Sequence, residues 1–410
     1  MARFDITSEA FKRAPHDTLS ALVQAGPFVD LKIPILGKMA FATQFDAAMH
    51  VLKDKTLFAV DGRNAGLKSQ FGLRWLPKTF QLLGRNMLTQ DDPDHRRLRK
   101  LADGPFRAIE IDALRPAITT LADQLIDDME RSDTPDLVEG FCRPLPLMVI
   151  CELLGLPLDD RPKFMRWMEN VTNAKSVISM VTLLPSLRKI MSYLRAEVER
   201  RRVDPAPGLI TQLVQAEADG DRLSEDELLA NIFVLFVAGH ETTTHLLSTA
   251  VLTLIRQTGV REELCADWAL ARGAVDELMR YNSPVQMTKP RFIREDTELF
   301  GRSFKKGDKV MAMLAAANMD PREFENPSMF DIHREKNRQM GFGGGMHLCL
   351  GIHLAKAEAE IGLERLFTRW PQLGLAVEES SLRWIRRAGL RGLTALPLSI
   401  NSDQMIRQAA

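Results

Sequence analysis

One segment constrains this 410-residue chain more than any other: the stretch from Ser224 to about Gln257. Ser224-Glu-Asp-Glu227 is a capping box, in which the serine hydroxyl and the glutamate carboxylate satisfy two free N–H groups at a helix start. Behind it, Leu228, Leu229, Ile232, Phe233, Val234, Leu235, Phe236 and Val237 point in almost every direction around a 3.6-residue helix. A helix that is apolar on all sides has to be wrapped by other elements. It turns polar after residue 238, and no run of about 18 apolar residues occurs anywhere in the chain, so the wrapping is protein and not membrane.

The rest of the chain supplies the wrapping. Helical periodicity dominates from about residue 95 onward. Strand-like segments are few: 28–33, 39–43, 308–314 and 384–400, the last broken by Gly389 and Gly392. Length alone suggests two or three domains, but no linker, repeat or low-complexity run divides the chain. The expectation is one domain over residues 1–410, mainly α, with small peripheral β-sheets and a long central helix. Residues 59–90 and 165–190 read as long, apolar-rich irregular connections, the composition of lids. Charge is balanced, 54 basic against 54 acidic residues, which argues against a nucleic-acid binder. The start, MARFDITSEAFKRAPHD, lacks an apolar core. Neither a signal peptide nor a membrane anchor is therefore expected, and a cytoplasmic monomer is.

The middle of the central helix carries Ala238-Gly239-His240-Glu241-Thr242-Thr243-Thr244. Glycine costs about 1 kcal/mol relative to alanine there, and a buried carboxylate is costly unless paired. Two readings follow. Either the polar groups have rotated to a wet face, or the small Ala-Gly step opens a groove along which Glu241 and Thr242 relay protons.

Four cysteines are present. Cys142, Cys151 and Cys265 read as reduced core thiols. Cys349 differs, because residues 341–351 run Gly-Phe-Gly-Gly-Gly-Met-His-Leu-Cys-Leu-Gly. Glycines let the backbone approach a ligand. Leu363, Leu366, Phe367 and Trp370 mark a following helix, so Cys349 falls near a helix N-terminus, where a thiolate is favoured. A phosphate-binding loop would need a GK[ST] continuation that is absent. Upstream, Glu277 and Arg280 stand at i,i+3 on a helix that Pro284 ends. Alone, such a pair reads as surface charge.

Taken together and in order, these motifs resemble the cytochrome P-450 family over nearly the whole chain. Phe342-x-x-Gly345-x-x-x-Cys349-x-Gly351 is similar to its haem-binding signature. The 238–243 segment resembles its oxygen-activation motif, Glu277-x-x-Arg280 its ion pair, and His95-x-x-x-Arg99 its propionate-binding helix. The resemblance implies a b-type haem (heme b) with Cys349 as axial thiolate on iron, a ligation that favours O–O cleavage. It assigns His95, Arg99, Arg291 and His347 to the propionates and Phe342 to packing beside the sulfur. It places Ala238 and Gly239 over the haem. Thr242 and Glu241 become the proton-delivering alcohol and acid, although many relatives carry Asp at the acid. Glu277 and Arg280, with Arg334, become a structural network. Val234, Val237, Val285, Gln286, Met287, Thr288 and Leu390, beside Gly389, are expected to line a pocket for a hydrophobic small molecule.

The implied reaction is insertion of one atom of O2 into that molecule. Electrons come from NAD(P)H through ferredoxin reductase and ferredoxin, since no fused reductase is expected. Arg96, Arg97, Lys100, Arg338 and Lys356 would form a basic face for the acidic partner. Peroxide-driven or rearranging chemistry is the runner-up, and a non-catalytic haem sensor or carrier a more distant one.

Overall fold

The computed structural model describes residues 4–33, 37–69, 83–109, 111–172, 177–216 and 220–400. Among them, short helices α1 (Glu9–Arg13) and α2 (His16–Ala25) lead into strands β1 (Phe28–Ile33) and β2 (Gly37–Ala42), helix α3 (Phe45–Lys53) and β3 (Phe58–Ala59). The helical body follows: α4 (Asp94–Ala108), α5 (Ile111–Glu130), α6 (Pro144–Leu154), α7 (Arg161–Thr172), α8 (Val177–Val203), α9 (Leu209–Gln215), α10 (Glu225–Arg256), α11 (Thr258–Ala266) and α12 (Ala271–Asn282). Strands β4 (Arg291–Ile293), β5 (Thr297–Leu299), β6 (Arg302–Phe304) and β7 (Lys309–Ala312) precede α13 (Leu314–Ala317). Helix α14 (Ile352–Arg369) and strands β8 (Gly374–Leu375) and β9 (Leu398–Ser399) complete the order.

The expected central helix is α10. Its capping box forms as read: the Ser224 hydroxyl accepts from Glu227 N, and Glu227 Oε2 accepts from Ser224 N at 2.9 Å. Helices α6, α8, α12 and α14 pack around it. Its two ends are buried, and its middle is not: Val234 and Val237 are half-buried and Ala238 is exposed. A five-stranded sheet of order β1-β2-β7-β4-β3 stands beside this body. Its β2–β7 pair is parallel, with Ala40 opposite Val310. Helix α3 buries Phe45, Ala47, Ala48, Val51 and Leu52 and passes next to the turn at 345–347.

Three expectations change. Residues 165–190 are not an irregular connection where they are described: 161–172 and 177–203 are helical, and the Pro185 that suggested a break sits inside α8. The stretch 384–400 is not a strand. It makes isolated bridges, Trp384 to Leu393, Val285 to Leu390 and Asp136 to Pro397, and forms a strand pair at β9. Gly389, with φ of +82°, turns the chain back on itself there. Of the connection 59–90, residues 70–82 lie outside the described residues, and 62–65 form a helical turn.

Candidate active site

The cysteine loop is held by its glycines. Gly345 has φ of +64°, and a Cβ there would stand 2.1 Å from the Leu52 carbonyl oxygen of α3. Cys349 N donates to Phe342 O at 3.0 Å, closing the loop, and Gly343 N donates to Met340 O at 2.8 Å. Phe342 packs half-buried on the main core. Helix α14 begins only at Ile352, so Cys349 lies just before the helix and not on its first turn. Cys349 is enclosed by protein yet keeps accessible surface, so a bound molecule can reach it. Burial pushes its thiol up, and the Gly351 N–H and the Arg99 charge only partly oppose that. The helix start by itself therefore does not make a thiolate here, whereas coordination to a cation deprotonates a thiol outright.

Beside the loop, cationic and imidazole groups converge, and among the described residues only Asp91 and Asp92 offset them, with His95 Nδ1 3.7 Å from Asp92 Oδ1. The His95 and His347 rings lie 4.5 Å apart. Nε2 of His95 and both nitrogens of His347 are buried without a hydrogen-bond partner among the described residues. Arg291 is buried, and desolvation pulls it down to about 10. Burial first, then the charges of Arg291, His95, Lys289 and Arg99, push His347 down to about 2. The nearby carboxylates are already engaged. Asp91 accepts from the N–H groups of Val60 and Asp61 and from Asn64, and Asp92 pairs with Lys55 and Arg96. Buried donors in this number require an anionic acceptor, and two haem carboxylates meet that need. The donor set therefore fits the implied cofactor. Arg99 is placed differently from expectation: it donates to Asp103 Oδ1 at 2.7 Å and to the Leu348 carbonyl at 2.8 Å, bracing the loop. Lys289 was not anticipated. Its charge acts on His347 together with that of Arg291, which places it on the same side.

On α10 the Thr242 hydroxyl donates to Ala238 O at 2.6 Å, and Thr243 repeats the pattern to Gly239 O at 3.1 Å. Such back-bonding satisfies a threonine inside a helix. Glu241 does not touch Thr242. Its Oε2 pairs with Arg387, and its Oε1 stands 3.8 Å from His245 Nε2. Burial raises this carboxyl, and the contacts with His245 and Arg387 outweigh it and hold it below the usual range. Across the interface with α14, Glu358 is fully buried, and desolvation pushes it up to about 8 against a hydrogen bond with Thr243.

The expected pocket residues divide. Val234, Val237, Val285 and Leu390 keep partial exposure, and Val285 bridges Leu390. Gln286 turns away from them: it is fully buried, and its side-chain oxygen accepts from the buried Lys12, which also donates to Leu390 O at 2.6 Å. Met287 packs with Met311 and Met313 in a core cluster. Thr288 is tied to Ala312 through its N–H and its hydroxyl. For these three, side-chain partners outside the local sequence decided the direction.

Glu277 and Arg280 are a core network and not a surface pair. Two hydrogen bonds join them, and Glu277 also accepts from Arg334 Nε at 3.1 Å, Asn337 Nδ2 at 3.1 Å and Asp331 N at 3.0 Å. Arg280 further donates to the carbonyls of Asn318, Pro327 and Met329.

A groove of about 690 Å³ lies behind the cysteine loop, lined by Lys55, Arg96, Arg99, Lys100 and Arg107 with Asp92 and Asp103. Three expected members of this face are engaged elsewhere: Arg97 with Glu227, Arg338 with Glu323 and Lys356 with Asp276. Among the described residues no helix is long and apolar enough to cross a membrane.

Comparison with known proteins agrees with this geometry. The family model described as "Cytochrome P450" matches residues 24–269 and 265–371. The polyketide biosynthesis cytochrome P450 PksS of Bacillus subtilis (strain 168) is 37% identical over 359 residues, 88% of each chain. The cytochrome P450 monooxygenase PikC of Streptomyces venezuelae is 34% identical, covering 95% of this chain and 91% of that one. The solved structure of the Bacillus subtilis PksS superposes with a TM-score of 0.89 at 34% identity, over 97% of this chain and 100% of the other.

Proposed function

Since the chain belongs to the cytochrome P450 family, we propose that Cys349 is the axial thiolate of its haem and that Arg291, His95 and His347, joined by Lys289, hold the two propionates. The chain is a haem-thiolate monooxygenase that inserts oxygen from O2 into a small molecule, with electrons supplied from NAD(P)H through partner proteins. The carrying observation is the enclosed but reachable Cys349 beside the buried Arg291 and the unpartnered ring nitrogens of His95 and His347. When bound, a thiolate-ligated haem supplies the oxidising chemistry, the sulfur donating electron density that favours O–O cleavage.

The chain's own groups act around that centre. Arg291 and Lys289 neutralise two carboxylates, while the histidines, held neutral by burial, donate through N–H. Arg99 and Gly345 fix the loop. Ala238 leaves room at the α10 groove, with Gly239 behind it against Ile150. Thr242 supplies a hydroxyl there, and Glu241, once released from Arg387, supplies its proton. Val234, Val237, Val285 and Leu390 give the groove an apolar wall suited to a hydrophobic substrate. The relative named for polyketide biosynthesis makes polyketides the first compounds to try. The basic groove behind the cysteine loop suits an acidic ferredoxin.

The deciding experiment is a spin-state titration of the purified holoprotein against a panel of hydrophobic compounds, followed by product analysis. A low- to high-spin shift with an oxygenated product is expected. A protein without the red-shifted Soret band in its reduced carbon monoxide complex would overturn the axial assignment.

A further inference from the structure

His245 lies one helical turn beyond Glu241 on α10. Its ring is buried, and neither nitrogen has a hydrogen-bond partner among the described residues. Leaving a buried imidazole unsatisfied is costly, so the position needs a reason. Two neighbours supply one. Its Nε2 stands 3.8 Å from Glu241 Oε1, a small side-chain rotation short of a hydrogen bond, while Arg387 holds the other carboxylate oxygen. The 384–393 segment is shaped around the ring: a Cβ on Gly392 would stand 2.2 Å from Nδ1. The chain therefore gives up a side chain at residue 392 to seat this imidazole against Glu241.

We propose that His245 is the proton source behind Glu241, so that the relay runs His245, Glu241, Thr242; this rests on the monooxygenase reading. In the first step the imidazolium Nε2–H bond breaks and a Glu241 O–H bond forms, leaving a neutral imidazole and a carboxylic acid. In the second, with Glu241 swung off Arg387 so that it reaches Thr242, the carboxyl donates to the Thr242 hydroxyl as that hydroxyl passes its own hydrogen from Ala238 O to an oxygen acceptor in the groove. Thr242 stays neutral and Glu241 returns to carboxylate. Solvent recharges the pair from the side of Arg387, whose side chain is 49% exposed. The charged and titratable groups facing His245 are Glu241 and His240 on its own helix and, through Glu241, Arg387 from the C-terminal segment. His245 acts through Glu241 and does not itself reach substrate.

The test uses holoprotein with His245→Gln and His245→Phe, plus Glu241→Gln. First, nitrogen-15 NMR of histidine-labelled protein in the diamagnetic reduced carbon monoxide complex reads the bonding of the His245 ring. Glu241→Gln should shift the Nε2 resonance, because the ring loses the carboxylate oxygen 3.8 Å away; an unmoved resonance overturns the proposal. Second, product formed per NAD(P)H consumed is measured against pH. In the wild type it should fall as pH rises from acidic to alkaline, as the relay runs short of protons. In both variants it should be lower by roughly tenfold at the acidic end, a modest share of general-acid catalysis, and flat across that range. A Gln variant with the wild-type profile overturns the proposal, since the ring would then only fill space. Absence of the thiolate Soret band in wild type and variants alike would instead strike at Cys349, and the NMR arm still decides on His245.

Discussion

Arg280 meets Glu277 through two parallel hydrogen bonds, Nε to Oε2 at 2.8 Å and Nη2 to Oε1 at 2.7 Å, with both side chains buried. Because Glu277 also takes Arg334, Asn337 and the Asp331 N–H, this pair ties α12 to the segment that leads into the cysteine loop. Removing one partner strands a buried charge. Glu277→Ala should cost about 3–5 kcal/mol, read as a lower denaturation midpoint and a small yield of haem-bearing protein. Arg280→Lys should fail nearly as badly, because lysine lacks the planar fork that two-point pairing needs.

Cys349→Ala should abolish the red-shifted Soret band of the reduced carbon monoxide complex while far-ultraviolet circular dichroism stays native. The fold does not depend on the sulfur: Cys349 contributes its backbone N–H to the loop, and alanine keeps that bond. An unchanged band would end the axial assignment.

A methyl group at Gly345 meets the Leu52 carbonyl and also demands a left-handed backbone. The conformation alone costs roughly 1–2 kcal/mol, and the clash with backbone cannot be relieved by a rotamer change. Gly345→Ala should therefore lower the thermal midpoint and detach the loop from α3, visible as loss of the thiolate spectrum on mild heating. Gly259→Ala on α11, where nothing lies within 4 Å of the added carbon, is the control and should be close to neutral.

Glu358 predicts a pH dependence. Burial raises its folded-state value to about 8 from an ordinary 4.5. Between those values the unfolded chain releases the proton and the folded chain keeps it, so stability falls as pH rises from about 4.5 to 8. Glu358→Gln removes the titration. Its stability, measured by urea unfolding, should decline less over that range than the wild type does, with the two nearest at the acidic end.

Arg107→Glu reverses one charge in the groove behind the cysteine loop. The KM for an acidic ferredoxin should rise several-fold and become less sensitive to salt, since surface attraction is screened over about 8 Å at physiological ionic strength. The substrate-induced spin shift should not change. A KM that stays constant would place the electron donor elsewhere.

Much of the architecture was legible locally. The capping box and all-round apolar stretch announced α10, and the glycines around Cys349 announced a loop pressed against another backbone, later seen to be Leu52. Residues 165–190 are helical where described because packing overrides the modest helix propensity of Val and Ser and the poor one of Pro185. In 384–400 the break at Gly389 goes further than an interruption: it reverses the chain, leaving isolated bridges and the short β9 in place of a strand.

Sequence by itself determined the chemistry on offer: a thiol among glycines, histidines and arginines for anions, an acid and an alcohol on a buried helix. These are properties of residue type and short spacing, which the chain carries before it folds. Only the tertiary structure decided which groups are free to act. It turned Gln286 toward Lys12, set Arg99 on the Leu348 carbonyl, buried Glu358 and placed Glu241 between Arg387 and His245. Each outcome depends on partners tens to hundreds of residues away, because burial, charge pairing and hydrogen-bond satisfaction are set by what the fold brings together.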